Sequence, residues 1–275
     1  MKQNQPIRIL HCVAGLDRGG YETFIMNVYR KIDRSQIQFD FLYSFDGVFT
    51  EEVKRLGGRL YKIPFITEKG PFAYRKNVMR FFREHPEYRI VHSHMDKFSG
   101  EIMVCAKRCG IPVRIAHSHS TKNEGGVLFQ LIKNYYGKKI VRNCTDKFAC
   151  SQKAGEWLFA EDPTSITVIR NGVDTGRFCP IERRDPQAFT VVHVGRFVPA
   201  KNHRFLVEIF AALHAAEPSA KLLLAGTGAL QPDILARVKE LGLSDAVSFL
   251  GDCGDIPGLL AKTLDRVPST TMPVT

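Results

Sequence analysis

The sequence predicts an α/β protein built of two doubly wound parallel sheets, the second of them incomplete. Three observations predict it. Strand-like and helix-like stretches alternate along nearly the whole chain, the mark of repeated βαβ units. Two apolar, β-branched runs stop at glycine and restart at helical spacing, Ile7–Val13 before Gly19-Gly20 and Phe189–Val194 before Gly195. Only three strand candidates then follow residue 188, where a doubly wound sheet has about six.

Taken in order, Ile7–Val13 is the first strand, Ala14–Gly20 its loop, and Tyr21–Ile32 a helix with Phe24, Ile25, Val28 and Tyr29 at helical spacing. Glycines let backbone come close to a phosphate, and the helix start offers N–H donors. The loop is not a P-loop, because Tyr21 follows Gly20 where lysine is needed, and it lacks G-x-G-x-x-G spacing. Further strands are expected at Phe39–Tyr43, Arg59–Ile63, Arg89–His94, Val113–Ser118, Lys147–Cys150 and Ile166–Ile169. Parallel sheets carry their chemistry at strand ends, and two of these ends hold histidines: His92 and His94, then His117 and His119. Four imidazoles could ligate a metal as His-x-His does in some zinc sites. Against a metal stands that neither loop is expected to add a carboxylate or cysteine. His92 and His117 are read as polar core residues.

The stretch Val127–Lys139 mixes apolar residues with lysine and tyrosine, which suits a membrane surface and equally a core helix. Asn171-Gly172 is a turn signal, and the charged stretch around Glu182–Asp185 reads as a linker. The expected division is a first domain over 1–179, a linker over 180–188, a partial second domain over 189–262 and an irregular tail over 263–275. In the second domain the strands are Phe189–Val194, Ala220–Ala225 and Val247–Gly251. Arg196 and Lys201 occupy the first strand-to-helix loop, where a guanidinium fork and an ammonium suit a diphosphate.

Composition bounds the class. The chain has 275 residues, 44% of them hydrophobic, enough to bury a sizeable core. No apolar run reaches the roughly 18 residues of a membrane span, and the start has no signal-peptide core, so a cytoplasmic location is expected, with the inner face of the membrane included. Seven scattered cysteines, without Cys-x-x-Cys, are expected to be reduced thiols. Residues 1–180 carry 29 Lys and Arg against 18 Asp and Glu, a net of +11, whereas the remainder is balanced at 10 against 10. A basic first half implies an anionic neighbour, such as a membrane surface or lipid phosphate. Nucleic acid is set aside, because no recognised motif or aromatic platform accompanies the charge.

The wording Gly195-Arg196 followed by Lys201-Asn202 after a strand resembles the donor-phosphate loop of the retaining "group 1" glycosyltransferases. Asn171-Gly172-Val173-Asp174 with Phe178 is similar to that family's crossing between domains. The resemblance runs from Ile7 to about Pro257. It implies the glycosyltransferase B fold, two Rossmann-like domains with the acceptor side in the first, and transfer of a sugar with retention from a nucleotide-diphosphate donor to a polysaccharide or lipid-linked acceptor. A UDP-sugar stands first among donors; no cofactor and no metal are implied. By the same resemblance, Arg196 and Lys201 stabilise the leaving diphosphate, Gly19 and Gly20 face it, and His119 meets the sugar. His94 lines the acceptor side, and Gly226, Gly228, Asp252 and Ile256 approach the nucleotide. The family's Glu-x7-Glu motif is absent: no Glu has another eight positions later. This departure implies a truncated, poorly active form, with an inactive or regulatory remnant as the alternative.

Overall fold

The computed structural model describes residues 5–122, 126–160, 162–178 and 189–263. The expected linker at 180–188, Cys179, the centre of the polar loop at 123–125 and the tail from 264 onward lie outside them. The chain forms two compact units that divide between Val173 and Asp174.

The first unit is a seven-stranded parallel sheet. Its strands are β1 (Ile7–Cys12), β2 (Ile37–Tyr43), β3 (Leu60–Lys62), β4 (Ile90–Ser93), β5 (Val113–Ser118), β6 (Asp146–Ala149) and β7 (Ile166–Val168), in the order β3-β2-β1-β4-β5-β6-β7. The order reverses between β1 and β4, so the loops leaving those strands spread apart and open a crevice at their carboxyl ends. The connecting helices are α1 (Gly20–Lys31), α2 (Thr50–Arg55), α3 (Ile66–Glu84), α4 (Ser99–Arg108), α5 (Val127–Gly137) and α6 (Gln152–Leu158). Leu10, Val91 and Ala116 on three neighbouring strands are fully buried under α3 and α4, which contribute Val78, Ile102 and Ala106. On the opposite face Ile25, Met26 and Tyr29 of α1 pack against Phe39 and Phe41.

Two buried carboxylates hold this unit at fixed points. Asp40, wholly buried on β2, accepts both arms of the Arg8 guanidinium at 2.5 Å, the Tyr88 hydroxyl at 2.6 Å and the Arg59 N–H. Glu101 on α4 takes a forked pair from Arg75 of α3 and faces Lys139 at 3.5 Å. Such pairs satisfy charges that could not otherwise leave water.

Helix α5 decides one of the open expectations. It is not a core helix: Val127 and Leu128 are about three quarters exposed, Leu131, Ile132 and Tyr135 are exposed beside them, and Tyr136 is its buried residue. Lys133 and Lys139 lie over the rings of Phe129 and Tyr135.

The second unit holds β8 (Thr190–Val194), β9 (Lys221–Ala225) and β10 (Val247–Gly251), parallel in the order β10-β9-β8, with α7 (His203–Ala216), α8 (Gln231–Glu240) and α9 (Ile256–Thr263). Its core joins Phe197, Val207, Phe210, Leu222, Leu224 and Val238.

Candidate functional site

At the crevice of the first sheet, Gly19 caps α1 in an extended conformation and Gly20 is the helix's first residue. Nothing lies within 4 Å of where a Gly20 side chain would start, so that backbone is open to a ligand. At Gly19 the same position falls 2.0 Å from a Glu22 carboxylate oxygen. Glu22 thus folds back over the helix start, and an incoming anion has to displace it, since both seek the same positive helix end.

The histidines meet there, and a fifth joins them. Side chains two apart on a strand share a face, so His92 with His94 and His117 with His119 stack as pairs, each with ring centres 4.1 Å apart. His11 of β1, paired in register with His92, completes the group. Nδ1 of His11 lies 3.0 Å from Nε2 of His94, Nδ1 of His94 lies 2.9 Å from Nε2 of His119, and Nε2 of His92 lies 3.1 Å from Nδ1 of His117. Burial keeps all five rings neutral at pH 7. It pushes His11 and His119 down to about 3, with repulsion from His117 adding to both, and His117 to about 4; His92 and His94 are also driven well below the usual range, by burial first and neighbouring imidazoles second. Tyr21 stacks parallel to His94, and Phe24 meets His117 edge-on, closing the cluster from the α1 side.

Two expectations change here. His92 and His117, read as core residues, belong to the same cluster as His94 and His119, although His117 is indeed fully buried. The expectation that no carboxylate accompanies the histidines is wrong: Asp96, two residues past His94 and in a left-handed conformation (φ 45°), accepts the His119 N–H at 3.1 Å and the Ser120 hydroxyl at 2.8 Å. It thereby ties the loop after β4 to the loop after β5. The sequence reading also passed over His11. Its signal was a titratable residue near the end of an otherwise apolar strand, just ahead of a glycine loop.

In the second unit three strand-end loops are laced together. Gly195 N–H donates to Ala225 O at 2.9 Å, Phe197 N–H to Thr227 O at 2.9 Å, Leu230 N–H to Phe197 O at 3.1 Å, and Gly226 N–H to Gly251 O at 2.7 Å. Phe197 is fully buried, with its ring stacked on His203 at 4.1 Å, while its neighbour Arg196 and Lys201 are exposed. Lys201 ends a 3-10 turn, Pro199–Lys201, and Asn202 takes the left-handed conformation (φ 47°) that turns the chain into α7. Among the described residues no carboxylate forms an ion pair with Arg196 or Lys201. Two cations are therefore carried by a braced backbone at the carboxyl end of β8, beside a helix start, without a counter-ion among the described residues.

Gly226 and Gly228 sit on this lacework at φ +140° and +157°. A side chain on Gly226 would meet Gly195 O at 2.1 Å, and one on Gly228 the Phe197 backbone at 2.6–2.9 Å. Loop-to-loop packing is thus reason enough for both glycines. Asp252 is exposed just beyond β10, and Ile256 opens α9, whose start is capped by Asp255 through Gly258 N–H at 2.9 Å.

Comparison with known proteins agrees with this architecture. Residues 18–177 match the profile of the family described as Glycosyltransferase Family 4, and residues 188–265 that of Glycosyl transferases group 1. The chain is 34% identical over 261 residues to the glycosyltransferase named EpsF of Bacillus subtilis, which spans 89% of this chain and 68% of that protein. It is 27% identical to a UDP-Gal:alpha-D-GlcNAc-diphosphoundecaprenol alpha-1,3-galactosyltransferase of Escherichia coli, over 63% of this chain and 50% of that one. In fold it is similar to Anabaena HepE, solved with UDP and glucose, at a TM-score of 0.72 and 20% identity over 93% of this chain and 72% of that chain. One profile covers more than half of the chain, a second covers the loop of Arg196 and Lys201, and a relative shares a third of the aligned residues; the chain therefore belongs to the group 1 glycosyltransferases, transferase enzymes of the two-domain B fold.

Proposed function

We propose that this chain takes a sugar from a nucleotide-diphosphate donor, a UDP-sugar, and transfers it with retention to a polysaccharide or lipid-linked acceptor. The observation that carries the reading is the pair Arg196 and Lys201, exposed, fixed by a laced backbone and without a carboxylate partner among the described residues. As the bond between the sugar and the diphosphate breaks, negative charge develops on the leaving oxygen, and fixed cations stabilise it without reorganising. The acceptor hydroxyl forms the new bond to the anomeric carbon, and its proton passes to the departing diphosphate. Gly19 and Gly20 would add backbone N–H donors toward the diphosphate once Glu22 swings aside. His119 would hold a sugar hydroxyl, with His94 on the acceptor side. Gly226, Gly228, Asp252 and Ile256 would line the nucleotide. No metal is needed for the diphosphate in this reading, because the cations take that role.

The named activity of the E. coli relative favours UDP and a lipid-linked acceptor, and the UDP held by HepE favours the same nucleotide. The exposed apolar face of α5, flanked by Lys133, Lys138 and Lys139, suits contact with an anionic membrane that presents such an acceptor. No helix among the described residues is long and apolar enough to cross a membrane.

The test is calorimetric titration with UDP, GDP and ADP. UDP should bind in the micromolar range, and the double change Arg196→Ala and Lys201→Ala should weaken it by more than about 100-fold, since each charge-assisted contact contributes about 1.5–3 kcal/mol. Absence of binding by all three nucleotides would leave a family member without a working donor site.

A further inference from the structure

The histidine cluster does more than the transfer reaction asks of it. That reaction uses His119 and His94; His11, His92 and His117 have no part in it, yet all five rings are packed together. Five packed imidazoles, three of them buried and two half-buried, are a costly arrangement, because each buried nitrogen without a partner forfeits the hydrogen bond it had in water, at about 1–3 kcal/mol. Three nitrogens are in that position: Nε2 of His11, Nε2 of His117 and Nδ1 of His119 are buried without a hydrogen-bond partner.

We propose that His94, His117 and His119 form a binding site for a divalent transition-metal ion of the zinc class, with His11 and His92 orienting the ligands. One imidazole nitrogen from each of the three lies within 4.8 Å of the others. Bonds of 2.0–2.1 Å in a tetrahedral arrangement place ligand nitrogens about 3.3 Å apart, so small ring rotations close the site without moving the strands. The second nitrogens of two of the three ligands are already assigned. Nε2 of His94 is held by His11, and Nδ1 of His117 by His92, which leaves Nδ1 of His94 and the unpartnered Nε2 of His117 to the ion. This is the outer-shell pattern that fixes the tautomer of metal-binding histidines. On binding, the 2.9 Å contact between His94 and His119 opens by about half an ångström to admit the ion.

The donor set selects the ion. Imidazole alone suits zinc, nickel or copper, whereas magnesium and calcium need oxygen ligands. Asp96, the carboxylate that joins the two histidine loops, is engaged with the His119 N–H and the Ser120 hydroxyl, and so steadies the third ligand's backbone instead of joining the shell. Three protein ligands leave one position of a tetrahedron open. The ion would occupy His119, the residue assigned to a sugar hydroxyl, so zinc and that hydroxyl compete for one imidazole.

The test needs neither donor nor transfer, so its failure would leave the donor-binding reading standing. Chelator-treated protein is titrated with ZnCl2 by calorimetry, with MgCl2 as control, and then loaded with Co2+ for visible absorption. The expected result is one zinc per chain at micromolar affinity or tighter, no magnesium binding, and the visible band of tetrahedral cobalt. His117→Asn should weaken binding at least 100-fold, and His11→Gln, which only orients, about 10-fold. Trp157, the chain's only tryptophan and part of the first unit's core margin, reports by fluorescence that each variant is folded. Absence of saturable zinc binding to the folded wild-type chain, or binding unchanged in folded His117→Asn, would overturn the proposal.

Discussion

Replacing Gly226 by alanine tests whether the laced loops hold the cations in place. The new methyl would start 2.1 Å from Gly195 O, whereas a carbon and a carbonyl oxygen need roughly 3.3 Å, so the loop bearing Arg196 must retreat by about 1 Å. It cannot retreat freely, because Gly195 N–H is bound to Ala225 O and Gly226 N–H to Gly251 O. The φ of +140° adds strain of its own, since L-residues rarely adopt it. Gly242 supplies the control. It too has a positive φ, +69°, but nothing lies within 4 Å of the missing side chain. Gly242→Ala should cost only the left-handed strain, about 1–2 kcal/mol, while Gly226→Ala should cost about 3–5 kcal/mol, the range of a backbone clash in a packed site. In urea unfolding, far-UV circular dichroism reads both domains and Trp157 fluorescence the first alone, so the loss should show in the dichroism while the fluorescence transition does not change. A shift of 1 Å in a positioning loop costs up to about 100-fold in binding or rate, so UDP affinity should fall in Gly226→Ala and hold in Gly242→Ala. If the two variants lose equal stability, or if Gly226→Ala keeps its UDP affinity, the lacework does not position the cations.

Acid should destabilise the first domain in the presence of a chelator. The folded values of His11, His117 and His119 lie at about 3–4, below the ordinary 6.5, so the unfolded chain binds more protons and stability falls as pH drops below 6.5. Each ring contributes about 1.4 kcal/mol per pH unit in that window; a Trp157 unfolding midpoint in urea that stays flat from pH 7 to pH 5 would contradict the buried cluster. For α5, Leu128→Glu with Leu131→Glu should abolish co-sedimentation with vesicles containing anionic lipid and leave the Trp157 unfolding midpoint within about 0.5 kcal/mol, because both side chains are exposed. Equal sedimentation of the variant and the parent chain would remove α5 from any membrane contact.

What was legible in the sequence was local. Period-two and helical patterning placed the strands of both sheets to within a few residues, because β-branched runs such as Phe189–Val194 and helical stripes such as Phe24, Ile25 and Val28 follow from backbone geometry alone. The glycine loop before α1 and the Arg196–Lys201 turn were legible for the same reason: each is one contiguous strand–loop–helix unit. The exposure of α5 was not, since an apolar stripe reads alike whether a neighbour covers it or not.

By itself, then, the sequence determined the α/β class, the element order, the strand-to-helix loop that carries Arg196 and Lys201 and, through its motifs, the family. Tertiary structure alone decided the rest. Strand order β3-β2-β1-β4-β5 brought His11 beside His92 and His94 across 81 and 83 positions of chain and put His117 and His119 next to them, which no local pattern encodes. In the second sheet the order β10-β9-β8 made Gly226 and Gly228 the places where one loop's backbone rests on another's. Spacing along a chain specifies which face a side chain takes, but only the pairing of strands specifies which faces meet.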